Sequence, residues 1–239
     1  MRQIWIITKR ELQSFFDSLT AYIMLIAFLG FSGLFTWLYG SDIFFTKQAS
    51  LQTFFGVSYW TLFFFIPALT MRQFAEENKT GTIELLLTRP VTDWQVIFGK
   101  FLATLLLIAI ALVFTLPYYI TVAKLGNIDH GATIMGYIGL LFISATYISI
   151  GLFASSISNN QIVGFLLALA IGILFHFVFG FLSMASSGFV SEVLYFLSLG
   201  AHFESISRGV VDSKDIIYFI SIIFLSFVGT EAILQKNRT

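Results

Sequence analysis

Apolar residues run along the chain in six long blocks, near 20–39, 54–72, 95–121, 133–155, 160–182 and 214–234. A bilayer core about 30 Å thick needs about 20 apolar residues in a helix. Each block is long enough, so the pattern predicts an all-α membrane protein with six transmembrane helices. A different periodicity precedes them. On a helical wheel Ile4, Trp5, Leu12, Phe15, Phe16 and Leu19 share one arc, while Arg2, Lys9, Arg10, Gln13 and Asp17 lie opposite. Ile6 and Ile7 stray from the pattern. Residues 1–19 therefore read as an amphipathic helix lying in the membrane interface, with Trp5 and Phe15 toward the acyl region and Arg10 toward water. A basic N-terminus that only sets orientation is the alternative.

Composition agrees with the membrane class. Hydrophobic residues make up 57% of the 239 and charged residues 11%, against about 25% charged in a soluble domain. Net charge is zero, which gives no basic excess for nucleic acid. With no cysteine, disulfides, thiolate metal sites and Cys nucleophiles are excluded. The first block is long enough to span, and no A-x-A-like cleavage site follows it, so no cleavable signal is expected. No repeat or linker marks a second domain.

Charge is distributed unevenly between the loops. Arg2, Lys9, Arg10, Arg72, Lys79, Arg89, Lys100, Lys236 and Arg238 fall on one side, against Lys47, Lys124, Arg208 and Lys214 on the other. The positive-inside rule predicts that both termini and the second loop are cytoplasmic. That loop, RQFAEENKTGTIELLLTRPVTDWQVIFGK at 72–100, holds eight charged residues, four of each sign. The second span is expected to continue as a helix through QFAEEN and to end at Gly81. Ile83, Leu86 and Leu87 then form a short amphipathic turn, stopped by Pro90. Thr92 and Gln95 have capping-box spacing and start a new helix at Asp93. The loop reads as a folded projection. Its short apolar-faced helix suits a partner's groove and, nearly as well, the bilayer surface.

EENKTGTIELLLTRPVTDWQVIFGK at 76–100 resembles the cytoplasmic loop of ABC-2 type transporter permeases. FASSISNNQIVGF at 153–165 and AHFESISRGVVDSKDIIYF at 201–219 are similar to the same family, and the three in order look most like the permeases of gliding-motility-associated ABC transporters. The resemblance implies a permease subunit of an ATP-driven exporter, its 72–95 loop forming a coupling helix. Glu76, Glu77, Gly81, Thr82, Glu84 and Leu86 would lie in or beside that helix. Residues 1–17 would also touch the ATPase, and SSISNNQ would be a second contact. Implied partners are an ABC ATPase subunit, a second identical or different permease chain, the lipid bilayer and an accessory gliding-type subunit. The implied location is a bacterial inner membrane. An exporter of lipid-linked, polysaccharide or drug cargo is the alternative.

The chain carries no ATPase signature of its own. G-x-x-x-x-G-K-[ST] is absent, since Gly99-Lys100 is followed by Phe101. No cofactor is therefore expected on this chain, and ATP and Mg belong to the partner.

Residues 183–213 include FVSEVLYFLSL, 11 residues and too short to span. Gly200 and Gly209 bracket an expected short helix. In the resembled family this region forms re-entrant helices closing the outer mouth. His202, Glu204, Arg208 and Asp212 are the candidate outer gate, with Glu204 and Arg208 paired at i, i+4. Alternatively Asp212 caps the sixth span and Asp215 occupies its first turn. No metal site is expected there.

His176 is an ionisable residue inside the fifth span, so it either bonds across helices or faces a pathway. Pro67 and Pro117 are expected to kink spans two and three. GFSG at 30–33 matches the G-x-S-G of rhomboid-type intramembrane proteases, with His176 as the base for Ser32. That is the enzymatic alternative.

Overall fold

The computed structural model describes residues 2–39, 48–81, 91–210 and 212–238. Every regular element among them is helical. In chain order they are α1 (Arg2–Asp17), α2 (Thr20–Trp37), α3 (Gln52–Thr70), α4 (Ala75–Thr80), α5 (Asp93–Val113), α6 (Leu116–Leu125) and α7 (His130–Ile157). Next come α8 (Gln161–Ile173), a π turn (Leu174–Val178), α9 (Phe179–Ala185), α10 (Phe189–Leu197), α11 (Leu199–Ser207) and α12 (Ser213–Arg238). Six runs are long and apolar enough to cross a membrane: Thr20–Trp37, Gln52–Thr80, Asp93–Leu125, His130–Ile157, Gln161–Ala185 and Ser213–Lys236.

The fourth span, α7, forms the centre of the bundle, with 78% of its apolar window buried. Spans two and three pack beside it and are mostly buried, whereas spans one, five and six expose most of their surface. That exposed surface is apolar: Ile26 and Phe31 on α2, Leu166 and Phe181 on span five, Phe224 and Leu225 on α12. In water such a surface would drive aggregation. In a bilayer it is solvated by acyl chains, and the helices satisfy their own backbone groups.

The start signals act as expected at two spans. Thr92 and Gln95 exchange both capping-box bonds at the head of α5. Asp212 accepts from the amide of Lys214 at the head of α12, at 3.2 Å. Asp129 caps α7 by accepting from the amide of Ala132 at 2.9 Å. Span three breaks between α5 and α6, where Pro117 occupies the first turn of α6. Thr115 and Tyr137 close the break, since the tyrosine hydroxyl also donates to the Thr115 carbonyl, at 3.2 Å.

Two expectations need correction. The second span does not continue as one helix through QFAEEN. Pro67 lacks the N–H that would continue the ladder, α3 stops at Thr70, and residues 71–74 form a turn before α4. Nor does the apolar arc of α1 lie wholly in the membrane. Phe15 is 3% exposed, and the apparent stray Ile7 is buried with it, while Trp5 is 61% exposed. The reason is Gly99 on α5. A β-carbon there would lie 2.7 Å from Ile7 Cβ, so only glycine lets α1 approach this closely. Thr8 completes the seam by donating to the Gly99 carbonyl at 3.2 Å. One side of α1 thus docks on protein and the other is free.

Candidate functional site

Both termini and the 72–95 segment sit on one face of the bundle, and a polar cluster binds the elements there. The turn at 71–74 frees backbone groups that α3 would otherwise have paired. Ser155, near the end of α7, meets them. Its Oγ accepts from the amides of Phe74 and Ala75 at 3.0 and 3.1 Å, and donates to the Met71 carbonyl at 2.9 Å. Asn78 on α4 then donates to the carbonyls of Ser156 and Ser158, at 3.1 and 3.4 Å. The SSISNNQ turn is therefore tied to α4. Asn160 in that turn caps α8 through the amide of Ile162.

Lys100 is the centre of this cluster. Its side chain is 1% exposed, which for a lysine requires partners. Nζ donates to Glu77 Oε1 and to the Gln73 carbonyl, each at 2.8 Å. Glu11 Oε1 on α1 lies 3.6 Å away, and the Phe74 ring covers the ammonium, its centroid 5.2 Å off. Gln73 is held in turn by Thr104, at 2.9 Å. Arg10 bonds Glu11 at 2.5 Å, so two cations and two carboxylates balance. Burial raises the affinity of Glu11 for a proton, but Lys100 and the bond from Arg10 outweigh it and hold the carboxyl below its ordinary range. Removing one partner of such a buried pair costs about 3–5 kcal/mol, because the other charge is stranded.

Among the residues expected at the coupling helix, Glu76 and Gly81 are exposed at the end of α4, beside Lys79. Gly81 closes α4 with φ +68°, a conformation that favours glycine. Glu77 instead turns inward to Lys100. Thr82, Glu84 and Leu86, with the short amphipathic turn, lie outside the described residues. Arg10 and Phe15 face different ways on α1: Arg10 toward Glu11, Phe15 beneath the guanidinium of Arg72.

On the opposite face the four candidate gate residues make three separate contacts. Glu204 and Arg208 pair, and both are largely exposed. Asp212 pairs with Lys214 at 3.0 Å, also in the open. His202 turns inward. Its Nδ1 lies 2.6 Å from Asp215 Oδ1 and its Nε2 2.8 Å from the Phe196 carbonyl, both contacts buried or nearly so. The ring stacks on Tyr218. Gly200 lies inside α11 rather than before it. A cavity of about 620 Å³ opens between α3, span five and α11, lined by Phe55, Tyr59, Trp60, His176, Tyr195 and Phe203 among others. A second, of about 500 Å³, meets it at Gln52 and Phe55. Glu204 lines the first cavity and Arg208 the second.

His176 bonds across helices. Its Nδ1 lies 2.5 Å from the Tyr147 hydroxyl, and its ring stacks on Tyr59. Ser32 is buried on α2, where its hydroxyl donates to the Leu29 carbonyl. No Ser32–His176 bond joins them among the described residues, so the protease geometry is not assembled.

Sequence reasoning missed Lys100, Glu11, Gln73 and Ser155 as site residues. Lys100 had one usable signal, since it lies inside the apolar run of α5 and a spanning helix seldom buries an unpaired lysine. Ser155 and Gln73 gave none. No curated protein matches the chain. Residues 7–207 match the model of the ABC-2 family transporter protein, so the chain belongs to the ABC-2 transporter family, whose membrane domains work with an ABC ATPase and carry no nucleotide site of their own.

Proposed function

We propose that this chain is the permease subunit of an ATP-driven exporter in a bacterial inner membrane, with both termini cytoplasmic. A separate ATPase subunit, which binds ATP and Mg, docks on the 72–95 segment and on α1. Two permease chains, identical or different, enclose the cargo path. The observation that carries this reading is the rooting of α4. Its exposed tip presents Glu76, Lys79 and Gly81, while Ser155, Asn78 and Lys100 fix its base to spans three and four. A projection fixed at its base transmits force into the bundle, whereas a slack loop would not.

Affinity capture from native membranes tests this reading. An ABC ATPase should be recovered in stoichiometric amount with the intact chain. It should be lost on deletion of 80–88, with insertion unchanged. Survival of the complex after that deletion defeats the proposed docking site. A Lys79→Cys label reacting only from outside the cell would reverse the orientation and end the reading. The gliding-motility subtype rests on the resemblance of 76–100, 153–165 and 201–219. Export of another cargo is its competitor, and identification of co-captured accessory subunits separates the two.

A further inference from the structure

An ammonium carries three donors, and Lys100 faces three acceptors on different segments. The Gln73 carbonyl, in the turn after α3, and Glu77, on α4, are both 2.8 Å away. Glu11, on α1, is 3.6 Å away, long for a hydrogen bond. The third donor is thus loosely met. Arg10 competes for Glu11 from outside, where it is largely exposed. Water does not reach Lys100 at 1% exposure, so a departing carboxylate must be replaced by another carboxylate. The lysine stem is flexible enough to make the small shift between them.

We propose that Lys100 is an exchange point between the two helices of this face. When α4 is drawn outward, the ammonium passes from Glu77 to Glu11 while the Gln73 carbonyl keeps hold of it. Withdrawal of α4 therefore requires α1 to close on α5, and the two surfaces move reciprocally. Any motion that separated Glu77 without bringing in Glu11 would leave a buried cation alone. Lys100 is a positioning residue in this scheme and touches neither cargo nor nucleotide. The scheme rests on reading α1 and α4 as the surfaces an ATPase engages.

The chain has no cysteine, so introduced ones report uniquely. Ser14→Cys on α1 and Lys79→Cys on α4, both exposed positions, carry spin labels in the complex captured with its ATPase. Pulsed dipolar spectroscopy measures their separation with and without ATP and Mg. In the labelled parent, nucleotide is expected to shift the distance distribution. Glu11→Gln and Glu77→Gln are expected to retain the ATPase yet reduce the shifted population at least about five-fold. Arg10→Gln is expected to move the resting distribution toward the nucleotide-bound one, because Glu11 loses its competitor. A captured complex with no nucleotide-dependent shift overturns the exchange, as does a Glu11→Gln response equal to the parent's or an unchanged Arg10→Gln distribution. If the glutamine variants fail to assemble, the parent and the surface Arg10→Gln variant decide. Failure of the parent to capture any ATPase removes the functional reading itself, and the exchange with it.

Discussion

Ser155 receives the backbone amide of Phe74 at 3.0 Å, joining the end of the fourth span to the turn that follows the second. The same hydroxyl serves Ala75 and Met71. Ser155→Ala removes all three contacts at once. Each orphaned buried group costs roughly 1–3 kcal/mol. The variant is expected to melt lower and to be cut faster near residues 71–80. Limited proteolysis in membranes checks this, and an unchanged cleavage rate would show that the turn is held by other means.

Gly99 gives a second prediction. Gly99→Ala pushes a methyl group against Ile7, where overpacking costs about 1–3 kcal/mol. The expected result is release of α1, read as faster thiol labelling of Thr8→Cys, a position buried in the parent. The double variant Gly99→Ala, Ile7→Ala should recover part of the loss by removing the clash. Equal labelling in all three would mean that this seam does not hold α1.

Acidity acts on Glu11. Its folded-state affinity for protons is lowered from the ordinary 4.5, so its pairing stabilises the fold above that value. The contribution is lost as pH falls through the lowered value. The stability difference between the parent and Glu11→Gln should be constant near neutrality and should shrink below about pH 4. Thermal melts in detergent across that window measure it. A difference that grows on acidification contradicts the pairing with Lys100.

The opposite face separates a weak pair from a strong one. Glu204 and Arg208 are both more than half exposed, so Arg208→Ala should cost at most about 0.5 kcal/mol. His202 and Asp215 are buried, and Asp215→Ala should cost about 3–5 kcal/mol. Comparative melting tests the contrast. A large loss for Arg208→Ala in the assembled complex, but not in the isolated chain, would place a second chain over that pair.

How much of this was legible follows from what each signal measures. Apolar length gave the six spans to within a few residues, because the bilayer sets it. Thr92, Gln95 and Asp212 were readable as caps because their partners lie two or three residues away. The Ser155–Phe74 and Lys100–Glu11 contacts were not readable, since they join positions that only the packing of α1, α5 and α7 brings together. Ile7 was misread for a related reason. A wheel records that a residue is apolar and cannot say whether lipid or a glycine-lined groove covers it. Likewise His202 was grouped with its sequence neighbours Glu204 and Arg208, but the start of α12 supplied its partner.

The π turn at Leu174–Val178 has a bearing on how the fifth span tolerates change. Such a turn carries one residue more than an α-helical turn. Gly164, Ala168, Gly172 and His176 form the inward stripe before it closes, and Ser183 continues that stripe beyond it. Deleting a single residue there would let the segment relax to α-helix and turn everything downstream by about 100°. Ser183 would swing toward lipid and Phe181 or Met184 toward protein. Length in this short window is thus a stricter inheritance than side-chain identity: conservative replacements should survive where a one-codon deletion does not.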